Sequence, residues 1–156
     1  RPKSTPDATR TVLIHPGSGG VSKCWSVAGF VAVASELARR GVAVRFAIGP
    51  AERERWSGET VARFADVAAV ETLESIDDFA RSVACADAYL GNDSGPTHLA
   101  EWLGKPTLAL FGPTDVRIWR PLGDRATWLQ GDPAVDAATW GIQPARIAAL
   151  FGDVVA

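Results

Sequence analysis

No methionine occurs in these 156 residues, cysteine and histidine appear twice each, and the formal charge is only −2. Each scarcity narrows the field. Cys24 and Cys85 are far apart and form no metal-like pair, so they read as reduced thiols of a cytosolic protein. A near-neutral chain lacks the basic excess of a dedicated nucleic-acid binder, although one local basic spot can still meet a single anion. The longest apolar run, VAGFVAVA (27–34), is far short of the roughly 20 residues that a membrane-spanning helix needs. The polar opening RPKSTPDATR has no apolar core of a secretory signal. With no methionine to start on, the chain reads as a domain of a longer protein, residues 1–10 being a linker from something upstream.

What is present is ordinary for one globular domain, with 47% hydrophobic and 22% charged residues. Apolar strands and amphipathic helices alternate. TVLIH (11–15), VAVRFAI (42–48), VAAVETL (67–73), DAYLG (87–91), TLALF (107–111) and ATWLQ (126–130) are the expected strands. Between the first two, Val27, Phe30, Val31, Ala34, Leu37 and Ala38 recur at helical spacing, ending in Arg39, Arg40 and a left-handed cap at Gly41. A charged helix is expected over 51–64, one capped by Ser75 and Asp78 running to Cys85, a short one from Ser94 to Leu103, and a last over 144–151. Repeated βα units specify an α/β fold: a doubly wound, mostly parallel sheet of about six strands with helices on both faces, occupying 11–156. Right-handed crossovers place the first and fourth strands side by side where the winding reverses. The loops after His15 and after Leu90 should therefore face each other across a ligand site.

The first of these loops is HPGSGGVSKCW. Gly17, Gly19 and Gly20 let backbone amides approach an anion, and Lys23 adds a point charge. A Walker loop fails, because Ser22 precedes the lysine and Cys24 follows it. A dinucleotide fingerprint fails too: Ser22 stands at its third glycine, and the second strand ends in Ala47, Ile48 and Gly49 without the acidic residue. A tight turn and a phosphate cradle both remain open. The second loop, GNDSGPTHLAEWLG, turns a strand into a helix whose free amides favour an anion. Asp93 could be a cap, and His98 a packed core histidine. A hydrolase is rejected, since Ser94 stands one position late for a nucleophile elbow and triads draw their members from separate loops.

Taken together, IHPGSGGVSKCWS, IGPAERE and above all GNDSGPTHLAEWLGKPTLALFGPTD resemble the C-terminal domain of the heptosyltransferases of lipopolysaccharide synthesis, glycosyltransferase family 9. The resemblance runs from Thr11 onward. It implies one of two facing Rossmann-like domains, the one that holds an ADP-activated heptose; the ADP-sugar is a donor substrate, and neither cofactor nor metal is implied. Lys23 would neutralise the diphosphate, with Ser18 and Ser22 as hydroxyl donors. Ser94, Gly95 and His98 would contact phosphate oxygens, and Asp93 would lie near the donor sugar. Glu54, or failing it Glu52, would hold the ribose hydroxyls. Thr114 and Asp115 would border the cleft toward an N-terminal acceptor-binding domain that supplies the general base.

The resemblance further implies inverting, metal-independent transfer to a lipopolysaccharide-core acceptor. The protein would be cytoplasmic, peripheral at the inner face of the membrane that bears the acceptor, and inactive as the isolated chain. Two departures stand beside the site: Ser26 where the family has proline after the tryptophan, and Val116 where proline follows G-P-T-D. A related domain using another nucleotide sugar and a non-catalytic nucleotide-binding module are the alternatives.

Overall fold

The computed structural model describes residues 9–155; residues 1–8, most of the expected linker, lie outside the described residues. Strands β1 (Thr11–His15), β2 (Ala43–Ile48), β3 (Ala69–Thr72), β4 (Ala88–Asn92), β5 (Thr107–Phe111) and β6 (Ala126–Gln130) form a single sheet in the order β3-β2-β1-β4-β5-β6. Every neighbouring pair is parallel. β1 and β4 sit together at the centre, where the winding reverses as the alternation of elements required.

The side chains of each central strand divide between two cores. Val12, Ile14, Phe46, Leu90 and Leu110 face α1 (Val27–Arg39), α3 (Gly58–Ala65) and α7 (Pro144–Val155). Leu13, Ala47 and Tyr89 face α4 (Ile76–Ala84) and α5 (Gly95–Trp102). Strands covered on both faces must be apolar at nearly every position, which is why TVLIH and TLALF read as continuous runs and not as alternations. Gly41 and Gly104 end α1 and α5 with φ of +80° and +76°, a conformation that costs glycine little. Ser75 caps α4 by accepting the Asp78 N–H at 3.1 Å.

Several boundaries differ from expectation. The single helix over 51–64 is two, α2 (Pro50–Arg55) and α3, because Trp56 is extended and the Ser57 hydroxyl caps a new helix by accepting the Thr60 N–H. β3 is shorter than its apolar run, and α7 runs on past Phe151. A 3-10 turn at Val21–Lys23 and the short α6 (Val116–Trp119) had no periodic signal. By length and composition the segment Val21–Arg39 passes for a membrane span. Its geometry says otherwise: Cys24–Ser26 separates the 3-10 turn from α1, which has 13 residues and packs on the sheet.

Candidate functional site

A cavity of about 400 Å³ opens at the carboxyl ends of the strands flanking the winding reversal. Its walls come from His15 at the end of β1 with Ser18 and Gly19 after it, Gly49–Glu52 after β2, Leu73–Ser75 after β3 with Ile76 and Phe79 of α4, and Ser94–Pro96 after β4. The loops after β1 and β4 thus share a site, and Asn92 is what ties them. This side chain, fully buried at the end of β4, donates to the Pro16 and Gly17 carbonyls, each at 3.0 Å, and accepts the Trp25 N–H at 3.0 Å. The Ser18 hydroxyl adds a 3.0 Å bond to the Asp93 carbonyl, and Thr97 binds the Asn92 carbonyl at 2.5 Å. Sequence reasoning passed over Asn92. The available signal was a primary amide closing a buried apolar strand, where its polar atoms must find partners.

Charge gathers beside this seam. Lys23 Nζ lies 3.5 Å from the carboxylate of the buried Asp93, which also accepts the Thr114 hydroxyl at 2.8 Å. The Lys23 ammonium sits 5.9 Å from the Trp119 ring centroid. Ser94 occupies the N-cap position of α5, yet its hydroxyl caps no amide. The positive end of α5 therefore meets the cavity without a side-chain cap between them. Asp93 is no cap either, since its carboxylate is turned toward Lys23 and Thr114.

On the opposite wall Glu52 is buried, with Oε2 accepting the Gly49 N–H at 2.8 Å and Oε1 standing 3.7 Å from His15 Nε2. Burial by itself would raise this carboxyl. The neighbouring His15 imidazole, with the N–H groups of Gly49 and of Glu52 itself, outweighs that and holds it down at about 2. Glu52 occupies the space that a Cβ on Gly17 would need, so a side chain at 17 would displace the Glu52 carboxylate. The site therefore offers an apolar wall at Leu73, Ile76 and Phe79, a fixed carboxylate, and a cation with a helix end: complements of a base, a diol and an anion.

A sequence model of glycosyltransferase family 9 (heptosyltransferase) matches residues 2–138. The chain belongs to glycosyltransferase family 9. Among curated relatives, lipopolysaccharide heptosyltransferase 1 of Pseudomonas aeruginosa is 39% identical over 111 residues, covering 70% of this chain and 30% of the relative. Lipopolysaccharide heptosyltransferase 3 of Escherichia coli is 33% identical over 113 residues, covering 70% and 33%. Of solved structures, a family 9 glycosyltransferase from Veillonella parvula superposes with a TM-score of 0.80 at 20% identity, over 97% of this chain and 47% of that one. Escherichia coli heptosyltransferase WaaC with ADP gives 0.77 at 21%, over 96% and 46%. The fold is that of these glycosyltransferases, and the chain spans about a third of its curated relatives' length and under half of the solved chains.

Against the family 9 expectation, individual residues fall unevenly. Ser94, Gly95 and Glu52 line the cavity, while Lys23 and Asp93 form the pair beside it. Ser18 also lines it, with its hydroxyl donating to the Asp93 carbonyl at 3.0 Å. Glu54, placed ahead of Glu52 from sequence, is exposed on α2 and outside the cavity wall; the order reverses. Ser22 is exposed on the 3-10 turn. His98 is exposed on α5 outside the cavity wall, so it is no core histidine. Asp115 caps α6 by accepting the Arg117 N–H at 2.9 Å, and the Arg117 side chain holds its carboxyl below the ordinary range. Thr114 and Asp115 line a second, shallower hollow with Arg117 and Gln130.

The two departures from the family pattern have local reasons. Ser26 is the N-cap of α1, its hydroxyl accepting the Gly29 N–H at 3.0 Å, a bond that proline could not provide. Val116, free of the proline ring, donates its N–H to Gln130 at 3.1 Å. Neither lines the cavity.

Proposed function

We propose that this chain is the donor-binding half of an inverting, metal-independent glycosyltransferase that moves heptose from ADP-heptose to a lipopolysaccharide-core acceptor. The observation that carries the reading is the cavity itself, which opens between the Glu52 wall and the Lys23–Asp93–Ser94 seam at the winding reversal. The apolar wall takes the base and Glu52 the ribose hydroxyls. Lys23, Ser94, Gly95 and His98 take the diphosphate. Asp93 faces the donor sugar, and Thr114 and Asp115 border the cleft toward an acceptor-binding domain outside this chain. The heptosyltransferase names of the relatives support it, as does the ADP named in the WaaC structure.

In this reading an acceptor hydroxyl attacks the anomeric carbon as the bond to the diphosphate breaks. The hydroxyl proton passes to a base on the partner domain. Lys23 and the first turn of α5 stabilise the charge that develops on the leaving diphosphate, a preorganised electrostatic role. The full protein works in the cytoplasm, meeting its acceptor at the inner membrane face, and this chain alone binds the donor without transferring sugar.

Titration calorimetry of the 156-residue chain with ADP, UDP and GDP tests the reading. Tightest binding of ADP is the expected result. Preference for UDP or GDP would reassign the donor, and no binding of any would leave a non-catalytic module. Sugar transfer by the isolated chain would overturn the division of labour.

A further inference from the structure

The last residue of α2 reaches back over the glycine loop. Arg55 donates from Nη1 to the Ser18 carbonyl at 2.8 Å and from Nη2 to the Gly19 carbonyl at 3.2 Å. A guanidinium is a rigid planar fork, so two such bonds fix the orientation of two successive peptide planes. In a trans peptide the C=O and the following N–H point in opposite directions, and no peptide bond among the described residues is cis. Holding the Ser18 and Gly19 carbonyls toward α2 therefore turns the Gly19 and Gly20 N–H groups away from it.

The glycines themselves supply a second observation. Neither Gly19 nor Gly20 has a positive φ. A Cβ built on Gly19 would meet nothing within 4 Å, and one on Gly20 would meet only the Lys23 side chain, at 3.9 Å. Gly17 differs, because Glu52 fills the space beside it. Packing and backbone strain thus leave the glycines at 19 and 20 unexplained, whereas close approach of a ligand to the bare backbone accounts for both.

We propose that Arg55 is a positioning residue for the donor diphosphate: it anchors the Ser18 and Gly19 carbonyls so that the Gly19 and Gly20 amides are held toward the anion. This rests on the nucleotide-binding reading above. Glu52 and Arg55 lie one turn apart on α2, so this short helix sets the ribose carboxylate and the phosphate amides together.

The test uses whichever of ADP, UDP and GDP the unaltered chain binds best, together with its nucleoside. Arg55→Gln should weaken the diphosphate about tenfold while leaving the nucleoside within twofold. Arg55→Lys keeps the charge but loses the fork, and should stay close to Arg55→Gln. Gly19→Ala should unfold no earlier than the unaltered chain yet bind the diphosphate several-fold more weakly. Inorganic pyrophosphate should move the Gly19 and Gly20 amide resonances of the unaltered chain. Unchanged diphosphate affinity in Arg55→Gln, full recovery in Arg55→Lys, equal losses for nucleoside and diphosphate, or unmoved amides would each overturn the proposal. An unaltered chain that binds no nucleotide would remove the functional reading, and this one with it.

Discussion

Lys23 Nζ and the Asp93 carboxylate stand 3.5 Å apart, drawn from two loops that meet only because β1 and β4 are neighbours. A diphosphate entering there must share the ammonium with a buried carboxylate. Replacing Lys23 by Ala removes the cation and leaves Asp93 with Thr114 as its partner. Charge-assisted bonds contribute about 1.5–3 kcal/mol, so Lys23→Ala should weaken ADP roughly ten- to a hundredfold and flatten the salt dependence of binding. Calorimetry at two ionic strengths checks both, and unchanged affinity would remove Lys23 from the site.

Ser94→Ala separates binding from stability. Because the Ser94 hydroxyl caps no amide, its loss should change unfolding free energy by no more than about 0.5 kcal/mol. ADP affinity should nevertheless fall several-fold. A large drop in melting temperature with intact affinity would show the reverse, a structural hydroxyl.

Asn92→Ala should do the opposite. It strips partners from the Pro16 and Gly17 carbonyls and from the Trp25 N–H in a fully buried place. Each stranded group costs about 1–3 kcal/mol, so a destabilisation on the order of 3 kcal/mol is expected. For a domain of this size that lowers the melting temperature by roughly 6–12 °C. Calorimetric scanning decides it, and a shift under 2 °C would contradict the role given to Asn92.

Glu52 predicts an acid limb. Its carboxyl is held at about 2 in the fold against an ordinary 4.5. The charged form is therefore the one that the fold favours: the stabilisation is complete above pH 4.5 and is lost as pH falls toward 2. A shift of that size is on the order of 3 kcal/mol. Urea midpoints measured across the window should fall less steeply for Glu52→Gln than for the unaltered chain, and parallel curves would refute the assignment.

Much of this was legible in the amino-acid order, because local rules wrote it. Runs such as TVLIH and TLALF announce strands covered on both faces, Ser75 announces the start of α4, and Gly41 and Gly104 announce helix ends. Alternating strands and helices with right-handed crossovers then dictate which two loops must meet. The GNDSGPTHLAEWLGKPTLALFGPTD block resembled family 9, the family to which the chain belongs.

Tertiary structure alone decided how the side chains in those loops are used. Residues two apart on a helix point about 200° away from each other, so the phase of α2, which starts at Pro50, turns Glu52 inward and Glu54 to solvent. Whether the Ser18 hydroxyl is free, what Asn92 joins and where Arg55 reaches depend on partners distant in the chain. Spacing along a sequence carries backbone periodicity and short-range capping. A hydrogen bond between loops exists only once the sheet has brought its donor and acceptor together, and no local pattern records that.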